Sequence, residues 1–261
     1  MNTHALSLPV HLYREHKYGF IVVASALMLG VIVLLPLLEM ASRPFGQGIP
    51  GSINYVRHAT LWFGYLGAVV AARKSRHISL GLSSLLKGRN KNLADLLAHV
   101  LAVVTCLVLA RAALDMAIAE SSSEVTLGGL IPLWLAQSVM PISFIMLALR
   151  YSRELMHLLS GPQLMLTAIG VIALGYSVDI SSTYALPIGL LFILIATLAG
   201  APIYIVLGSL AALLFATDDI PLASISVEAY RIASNPILPP LPLFTLAGTV
   251  LAAGNASSRL V

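Results

Sequence analysis

The stretch Ala71–Leu80, AARKSRHISL, concentrates positive charge in a chain that is otherwise mostly apolar. Four cationic or potentially cationic side chains fall within five positions: Arg73, Lys74, Arg76 and His77. Such a cluster could bind nucleic-acid phosphates, hold another anion, or mark the side of a membrane on which a loop lies. Arg73 and His77 are four residues apart, so on a continuing helix they share a face and could contact lipid phosphate or a neighbouring subunit.

Asp95 and His99 form a second pair with chemical potential, again four residues apart and near the start of an apolar run. Ionisable groups in membrane helices are candidates for proton transfer, but two possible ligands do not make a metal site. Cys106 is the single cysteine, so an internal disulfide is excluded and a buried thiol is expected. With no nucleotide-binding loop, zinc motif or catalytic triad, the sequence predicts no catalytic residue, metal or cofactor.

Composition indicates which environment these residues occupy. The chain is 58% hydrophobic and 10% charged, whereas a soluble domain carries roughly a quarter charged residues. A soluble protein of this composition would expose large apolar patches, so the chain is expected to lie in lipid. The net charge of +4 comes without a recognition module or an interleaved aromatic face, which argues against nucleic acid as a partner and favours membrane lipids.

The apolar runs predict an all-α integral membrane protein with about eight transmembrane helices. Continuous apolar runs differ from the alternating strands of a membrane barrel, and helices satisfy their own backbone hydrogen bonds in lipid. The run Tyr184–Ala216 would make a helix of about 50 Å, longer than the roughly 30 Å hydrocarbon core, so Gly200 and Pro202 are expected to break it into two. The other predicted helices are Gly19–Leu38, Tyr55–Ala72, Leu93–Ala110, Leu133–Leu149, Leu164–Tyr176 and Ile237–Ala253.

The first apolar run is expected to be a retained helix rather than a cleaved secretory signal. Arg14 and Lys17 precede it, as they would precede a signal peptide. However, Gly19–Leu38 is long enough for a full span, and no small-residue cleavage site follows it.

The distribution of Lys and Arg predicts that both ends of the chain are cytoplasmic. With the N-terminus inside, the cytoplasmic segments hold eleven of the 15 Lys and Arg residues, and this bias sets the orientation of membrane proteins. The eleven are Arg14, Lys17, Arg73, Lys74, Arg76, Lys87, Arg89, Lys91, Arg150, Arg153 and Arg259. In this topology the stretch Ala71–Leu80 marks the cytoplasmic side.

The first part of the chain resembles the small membrane subunit of tripartite ATP-independent periplasmic (TRAP) transporters. The residues that carry this resemblance are LWFGYLGAVVAARKSRHISL (Leu61–Leu80) and LIPLWLAQSVMPISFIMLALR (Leu130–Arg150). The family's four helices with both ends cytoplasmic agree with the topology from charge. The family's small subunit often has acidic residues where this chain has Arg57 and His58, and again where Leu80 and Gly81 follow the His-Ile pair.

The later part resembles the start of the large TRAP subunit. The matching residues are LLFILIATLAGAPIYIVLGSLAALLF (Leu190–Phe215) and LPPLPLFTLAGTVLAAGNASSRLV (Leu238–Val261). The resemblance implies a fusion with a small-subunit domain at 1–160, a linking transmembrane helix within 161–183 and large-subunit scaffold helices at 184–261. In the family the large subunit continues for several hundred residues, which carry the substrate and sodium sites, so the chain is expected to stop short of the transport domain.

The resemblance implies a scaffold for a transporter of the bacterial inner membrane. Such transporters import organic acids, such as C4-dicarboxylates or sugar acids, with sodium coupling. The implied partners are a periplasmic substrate-binding protein and the remainder of the large subunit, and the substrate-binding residues are expected in that remainder. Two alternatives stay open. One is a membrane assembly helper without transport activity. The other is an integral-membrane redox enzyme, although Cys106 and His99 are too few to bind a redox cofactor.

Some residues are candidates for contact with a subunit or with lipid: Arg73, His77, Glu39, Arg43 and Trp134. Glu39 and Arg43 flank the outer end of the first helix and are spaced for a helical ion pair, as are Arg111 and Asp115 at the third helix. Membrane-interface anchoring and docking of the binding protein are both open for these pairs. The acidic residues expected on the outer face could complement a partner: Glu120, Glu124, Asp218, Asp219 and Glu228.

Overall fold

The structure is a computed structural model and describes residues 19–46, 48–73, 89–129, 131–158 and 185–254. Two predictions concern residues outside these ranges: the linking helix Leu164–Tyr176 and the contact candidate His77. Of Arg73, only the helical backbone is described.

The first helix, α1, comprises Gly19–Ser42 and contains Pro36. A single 3-10 turn, Arg43–Phe45, follows it and ends at Gly46, whose φ of 71° lies in the left-handed region that glycine tolerates. Helix α2 is Ser52–Arg73 and returns along α1. The helix predicted over Gly19–Leu38 therefore extends about one turn further, which places Glu39 on the helix itself.

Helix α3, Arg89–Ser121, is 33 residues long and exceeds the predicted Leu93–Ala110 at both ends. Its C-terminal extension contains Arg111, Asp115 and Glu120, polar residues that a hydropathy pattern assigns to a loop. A helix satisfies its own backbone hydrogen bonds, so it continues beyond the apolar core without penalty.

A short ladder and a broken helix complete the first half. Strands β1 (Thr126–Leu127) and β2 (Ile131–Pro132) pair antiparallel, a two-residue exception to the all-α prediction. Gly128 in the connecting turn has a φ of 60°, and a Cβ there would collide with the Tyr55 ring, so only glycine fits. Helices α4 (Leu133–Gln137) and α5 (Val139–Leu158) then follow with a turn at Ser138 between them.

The later described helices are α6 (Ala185–Leu198), α7 (Ile203–Thr217), α8 (Ala223–Ala233) and α9 (Pro240–Ala253). The predicted break is confirmed: α6 ends before Gly200, whose φ is 106°, and Pro202 precedes the first turn of α7. Helix α8 has no counterpart among the predicted helices, because its sequence, ASISVEAYRIA, mixes polar and apolar residues and gives no continuous apolar run.

Helix α3 lies at the centre of the described structure. It packs against α5 along most of its length, and also against α4, α6, α7 and α8. The shared core includes Ala102, Cys106 and Met140, none of which is exposed, and it continues into Ala196 and Ile205 of the later helices. The buried thiol predicted for Cys106 is confirmed.

By length and composition, three segments within the described ranges can cross a membrane: Gly19–Phe45, Lys91–Ser121 and Leu133–Leu158. Helices α6, α7 and α9 provide shorter apolar segments. Helix α2 is 22 residues long but carries Asn54, Arg57 and His58 in its first two turns. The total of eight spans and the inward orientation of both termini stay predictions.

Candidate functional site

The polar side chains of the described helices gather at two opposite ends of the bundle. At one end, called the His58 end, α2 and α5 begin and α3 finishes. At the other, called the His99 end, α3 begins and α5 finishes, and the hydrogen bond between His99 and Glu154 joins them. Each end therefore contains side chains from several helices.

Glu39 at the His58 end joins α1 to the beginning of α2. Its carboxylate accepts a hydrogen bond from the Ser52 hydroxyl and pairs with the Arg43 guanidinium, with 3.0 Å between Arg43 Nη2 and Glu39 Oε1. The spacing-based prediction of this ion pair is confirmed, and the same holds for Arg111 and Asp115 at 3.1 Å. Arg43 is largely exposed and remains accessible to a partner or to lipid.

The two tryptophans have different surroundings at this end. The indole Nε1 of Trp62 donates to the backbone oxygen of Ala136 at 2.8 Å, which fixes α2 against α4. Trp134 is 38% exposed, so its ring is available at the surface. Its proposed contact with a subunit or lipid stays a prediction.

His58 is buried and takes part in a chain of hydrogen bonds between two helices. Its Nδ1 lies 2.8 Å from the backbone oxygen of Asn54, and its Nε2 lies 2.7 Å from the hydroxyl of Tyr230 in α8. Burial raises the pKa of Tyr230, so its phenol keeps its proton at neutral pH. The chain therefore connects α2 and α8.

The His99 end contains an ionic cluster within α3 and α5. His99 Nδ1 lies 2.6 Å from the backbone oxygen of Asp95, and His99 Nε2 lies 3.1 Å from Glu154 Oε2. Arg150 pairs with the same carboxylate. Both ring nitrogens of His99 therefore lie beside oxygen atoms, one on α3 and one on α5. Asp95 thus contributes its backbone oxygen, and the cluster serves to join two helices.

Next to this cluster, Tyr151 of α5 and Tyr204 of α7 place their hydroxyl oxygens 2.6 Å apart. The His99 ring packs edge-on against Tyr151 at 6.0 Å between centroids. In the part of the chain that the structure describes, no three His, Cys, Asp or Glu side chains come together as a metal site would require. The arrangement suits the joining of helices.

The acidic residues predicted for the outer face lie at the His58 end. Glu228 pairs with Arg231 within α8 at 2.6 Å, while Asp218 and Asp219 are exposed at the end of α7. Glu124 is also exposed. These residues form an accessible charged surface.

Sequence reasoning missed Tyr230, Tyr204 and Glu154 and treated His58 only as a departure from a family pattern. One signal for α8 was present: Ser226 and Tyr230 are four residues apart and share a helix face. The partners of His58 and Tyr204 are 172 and 53 residues distant along the chain, so local spacing could not identify them.

Comparison with known families identifies the first part of the chain. The model for the DctQ component of tripartite ATP-independent periplasmic transporters matches residues 32–161. These residues belong to the DctQ family. The DctQ segment includes the C-terminal part of α1, from residue 32, and all of α2–α5, which confirms the resemblance to the small TRAP subunit. A search of the curated proteins gave no match to the chain.

Membership establishes a membrane component of a transporter, and DctQ is not an enzyme family. In a tripartite transporter this component works with a periplasmic binding protein and a large membrane subunit. Residues 184–261 lie outside the match, so their resemblance to the large subunit stays a prediction.

Proposed function

We propose that the chain is the membrane scaffold of a TRAP transporter, in which the DctQ segment is fused to the first helices of the large subunit. The observation that carries this proposal is the shared core between the two parts. Ala196, Ala201 and Ile205 are buried in the same cluster as α3 and α5 of the DctQ segment. A fused scaffold needs such packing, because its two parts must keep one orientation while a transport domain moves.

The transporter would import organic acids, such as C4-dicarboxylates or sugar acids, across the bacterial inner membrane with sodium coupling. A periplasmic protein would deliver the substrate, and the remainder of the large subunit would bind both substrate and sodium. The described residues contribute packing and surface charge to this function.

The proposed orientation places the His58 end in the periplasm and the His99 end in the cytoplasm. Exposed Arg43, Trp134 and the acidic residues near α8 would then face the binding protein, with Glu39 holding Arg43 in place. Arg73 and His77 would contact lipid phosphate or the large subunit at the cytoplasmic side. Complementary charge would speed encounter with the binding protein.

The test is purification of the tagged chain from membranes of its own host in a mild detergent, with mass spectrometry of what accompanies it. The proposal expects a large TRAP subunit, either as further sequence of the same polypeptide or as a bound chain. It also expects that the host's TRAP binding protein, added in purified form, binds the complex. An Arg43→Glu variant should weaken that binding, whereas Arg153→Glu, at an exposed position of the opposite end, serves as the matched control.

The assembly-helper alternative predicts a different result. The chain would then be recovered with an unrelated membrane protein and no large TRAP subunit, and the binding protein would not bind. That outcome would refute the scaffold function.

A further inference from the structure

The junction between the DctQ segment and α7–α8 contains both apolar and polar contacts. In its apolar part, Gly208 of α7 faces Thr105 and Leu109 of α3 so closely that a Cβ on Gly208 would lie 3.0 Å from Leu109 Cδ1. Apolar contacts are not directional. By themselves they bring the helices together without fixing how α7 is rotated or shifted along α3.

At the His58 end, a directed chain of hydrogen bonds crosses this junction. The Asn54 carbonyl can only accept, so the neighbouring His58 Nδ1 carries a hydrogen, and in the neutral ring Nε2 is an acceptor. The Tyr230 hydroxyl therefore donates to Nε2 across 2.7 Å. His58 is only 8% exposed, so this nitrogen depends on Tyr230 for a partner.

Tyr230 thus joins α8 to α2 through a hydrogen bond whose direction is set by the Asn54 carbonyl on the far side of the His58 ring. Because both the donor and the acceptor of this bond are fixed, it restricts how α8 can be rotated against α2.

A second polar contact crosses the junction at the His99 end. There the hydroxyls of Tyr151 and Tyr204 meet at 2.6 Å, and Tyr151 is buried. Tyr204 lies in the first turn of α7, and Tyr230 lies beyond its last turn. Fifteen helical residues separate the two ends of α7, a length of roughly 22 Å.

The geometry points to a two-point clamp, in which Tyr230 and Tyr204 are positioning residues that fix α7–α8 on the DctQ segment at both ends. One hydrogen bond would leave a pivot, whereas two bonds separated by the length of a helix determine both rotation and register. His58 and Tyr151 are both buried, so water does not readily replace a lost bond at either end, and each contact retains its directing effect. The clamp rests on the proposed scaffold function, because it supplies the fixed orientation that a scaffold requires.

The test measures distances between spin labels in the purified full chain in lipid nanodiscs. One label pair, at Ile53→Cys and Val227→Cys, reports on the His58 end, and another, at Leu149→Cys and Leu207→Cys, reports on the His99 end. All four native side chains are exposed. Cys106 is not exposed, so it does not take up label.

Tyr230→Phe should broaden the distance distribution at the His58 end and leave the His99 end unchanged, and Tyr204→Phe should do the reverse. Tyr55→Phe is the matched control. Tyr55 donates to the backbone oxygen of Leu127 at 3.2 Å, entirely within the DctQ segment. It should change neither distribution.

Rescue separates a positioning role from general loss of structure. His58→Gln keeps an acceptor for the Tyr230 hydroxyl and should retain the narrow distribution, whereas His58→Leu should broaden it. Should Tyr230→Phe fail to fold, the His58 pair of variants gives the same comparison. Unchanged distributions in all these variants, or equal broadening at both ends in every variant, would overturn the clamp.

These distances lie within one chain and require no transport. If the chain is purified without a large TRAP subunit and the end-specific broadening is still observed, the proposed function is refuted and the clamp is supported. Loss of the end-specific effect with the large subunit present would refute the clamp alone.

Discussion

Helices α1 and α3 are both long and apolar, yet they have very different surroundings. Within its most apolar stretch, α1 is 11% buried inside the structure, whereas α3 is 50% buried. Phe20, Leu27 and Leu38 of α1 are more than half exposed. Helix α1 therefore presents most of its surface to lipid, while α3 forms the centre of the bundle.

The difference lies in the size of the side chains rather than in hydrophobicity. Buried small residues recur along α3 every three or four positions, on a face that lets neighbouring helices approach closely. They are Ala94, Ala98, Ala102, Cys106, Ala110, Ala113 and Ala117. In helix α1 most side chains are large and aliphatic, and such side chains pack against lipid chains as well as against protein. The spacing of small residues, rather than hydropathy, thus distinguishes a central membrane helix from a peripheral one.

The largest effect is expected from filling the small-residue face of α3. Ala102 is not exposed, so Ala102→Phe should lower the free energy of unfolding by about 3 kcal/mol, the upper part of the usual range for overpacking. Titration of the purified protein with sodium dodecyl sulfate, followed by circular dichroism, measures this change. Leu114→Phe on the exposed face of α3 is the control and should be nearly neutral. Equal effects of the two variants would contradict the assignment of the small-residue face as the surface on which the neighbouring helices pack.

A somewhat smaller effect is expected where α3 meets α7. Gly208→Leu must displace Leu109 and Thr105, which should cost about 2 kcal/mol because the two helices are forced apart. Gly64→Leu in α2 is the matched control, since nothing lies within 4 Å of a Cβ at that position. The same titration compares the two variants. A stability loss confined to Gly64→Leu would contradict the described junction.

The smallest loss of stability is expected where α1, the peripheral helix, contacts α2. Ser52 is 4% exposed and donates to Glu39 of α1, so Ser52→Ala should cost about 1 kcal/mol through the lost hydrogen bond. Ser25→Ala removes a hydroxyl that bonds only the backbone of its own helix, at the oxygen of Ile21, and should have less effect. Thermal unfolding in detergent would rank the stability of the two variants. A greater loss of stability from Ser25→Ala would mean that Ser52 does not hold α1 in place.

Local signals in the sequence predicted much of the helical pattern. Gly200 and Pro202 indicated the break between α6 and α7 because each residue disfavours a helix at its own position in the chain. The pairs Glu39–Arg43 and Arg111–Asp115 followed from helical spacing alone. The DctQ family was identifiable from the residues around Leu61–Leu80.

The polar contacts between helices could not be predicted in this way. His58, Tyr204 and Glu154 find partners on other helices, and which helices become neighbours depends on packing across the whole chain. Helix α8 was missed because its apolar residues pack against α3 in the folded chain, and no continuous apolar run marks it in the sequence. The length of α3 was underestimated because the apolar run used to predict it ends at the first charged residues, whereas the backbone continues as a helix beyond them.

Uptake in the chain's own host tests the proposal that the chain is the scaffold of a sodium-coupled organic-acid importer. Cells lacking the gene would be supplied with radiolabelled C4-dicarboxylates and sugar acids, with and without sodium. We expect that sodium-dependent uptake of one such acid is lost, and that the wild-type chain restores it when expressed from a plasmid with any further coding sequence of the gene. Unchanged uptake of every acid in the deletion strain, with and without sodium, would contradict it.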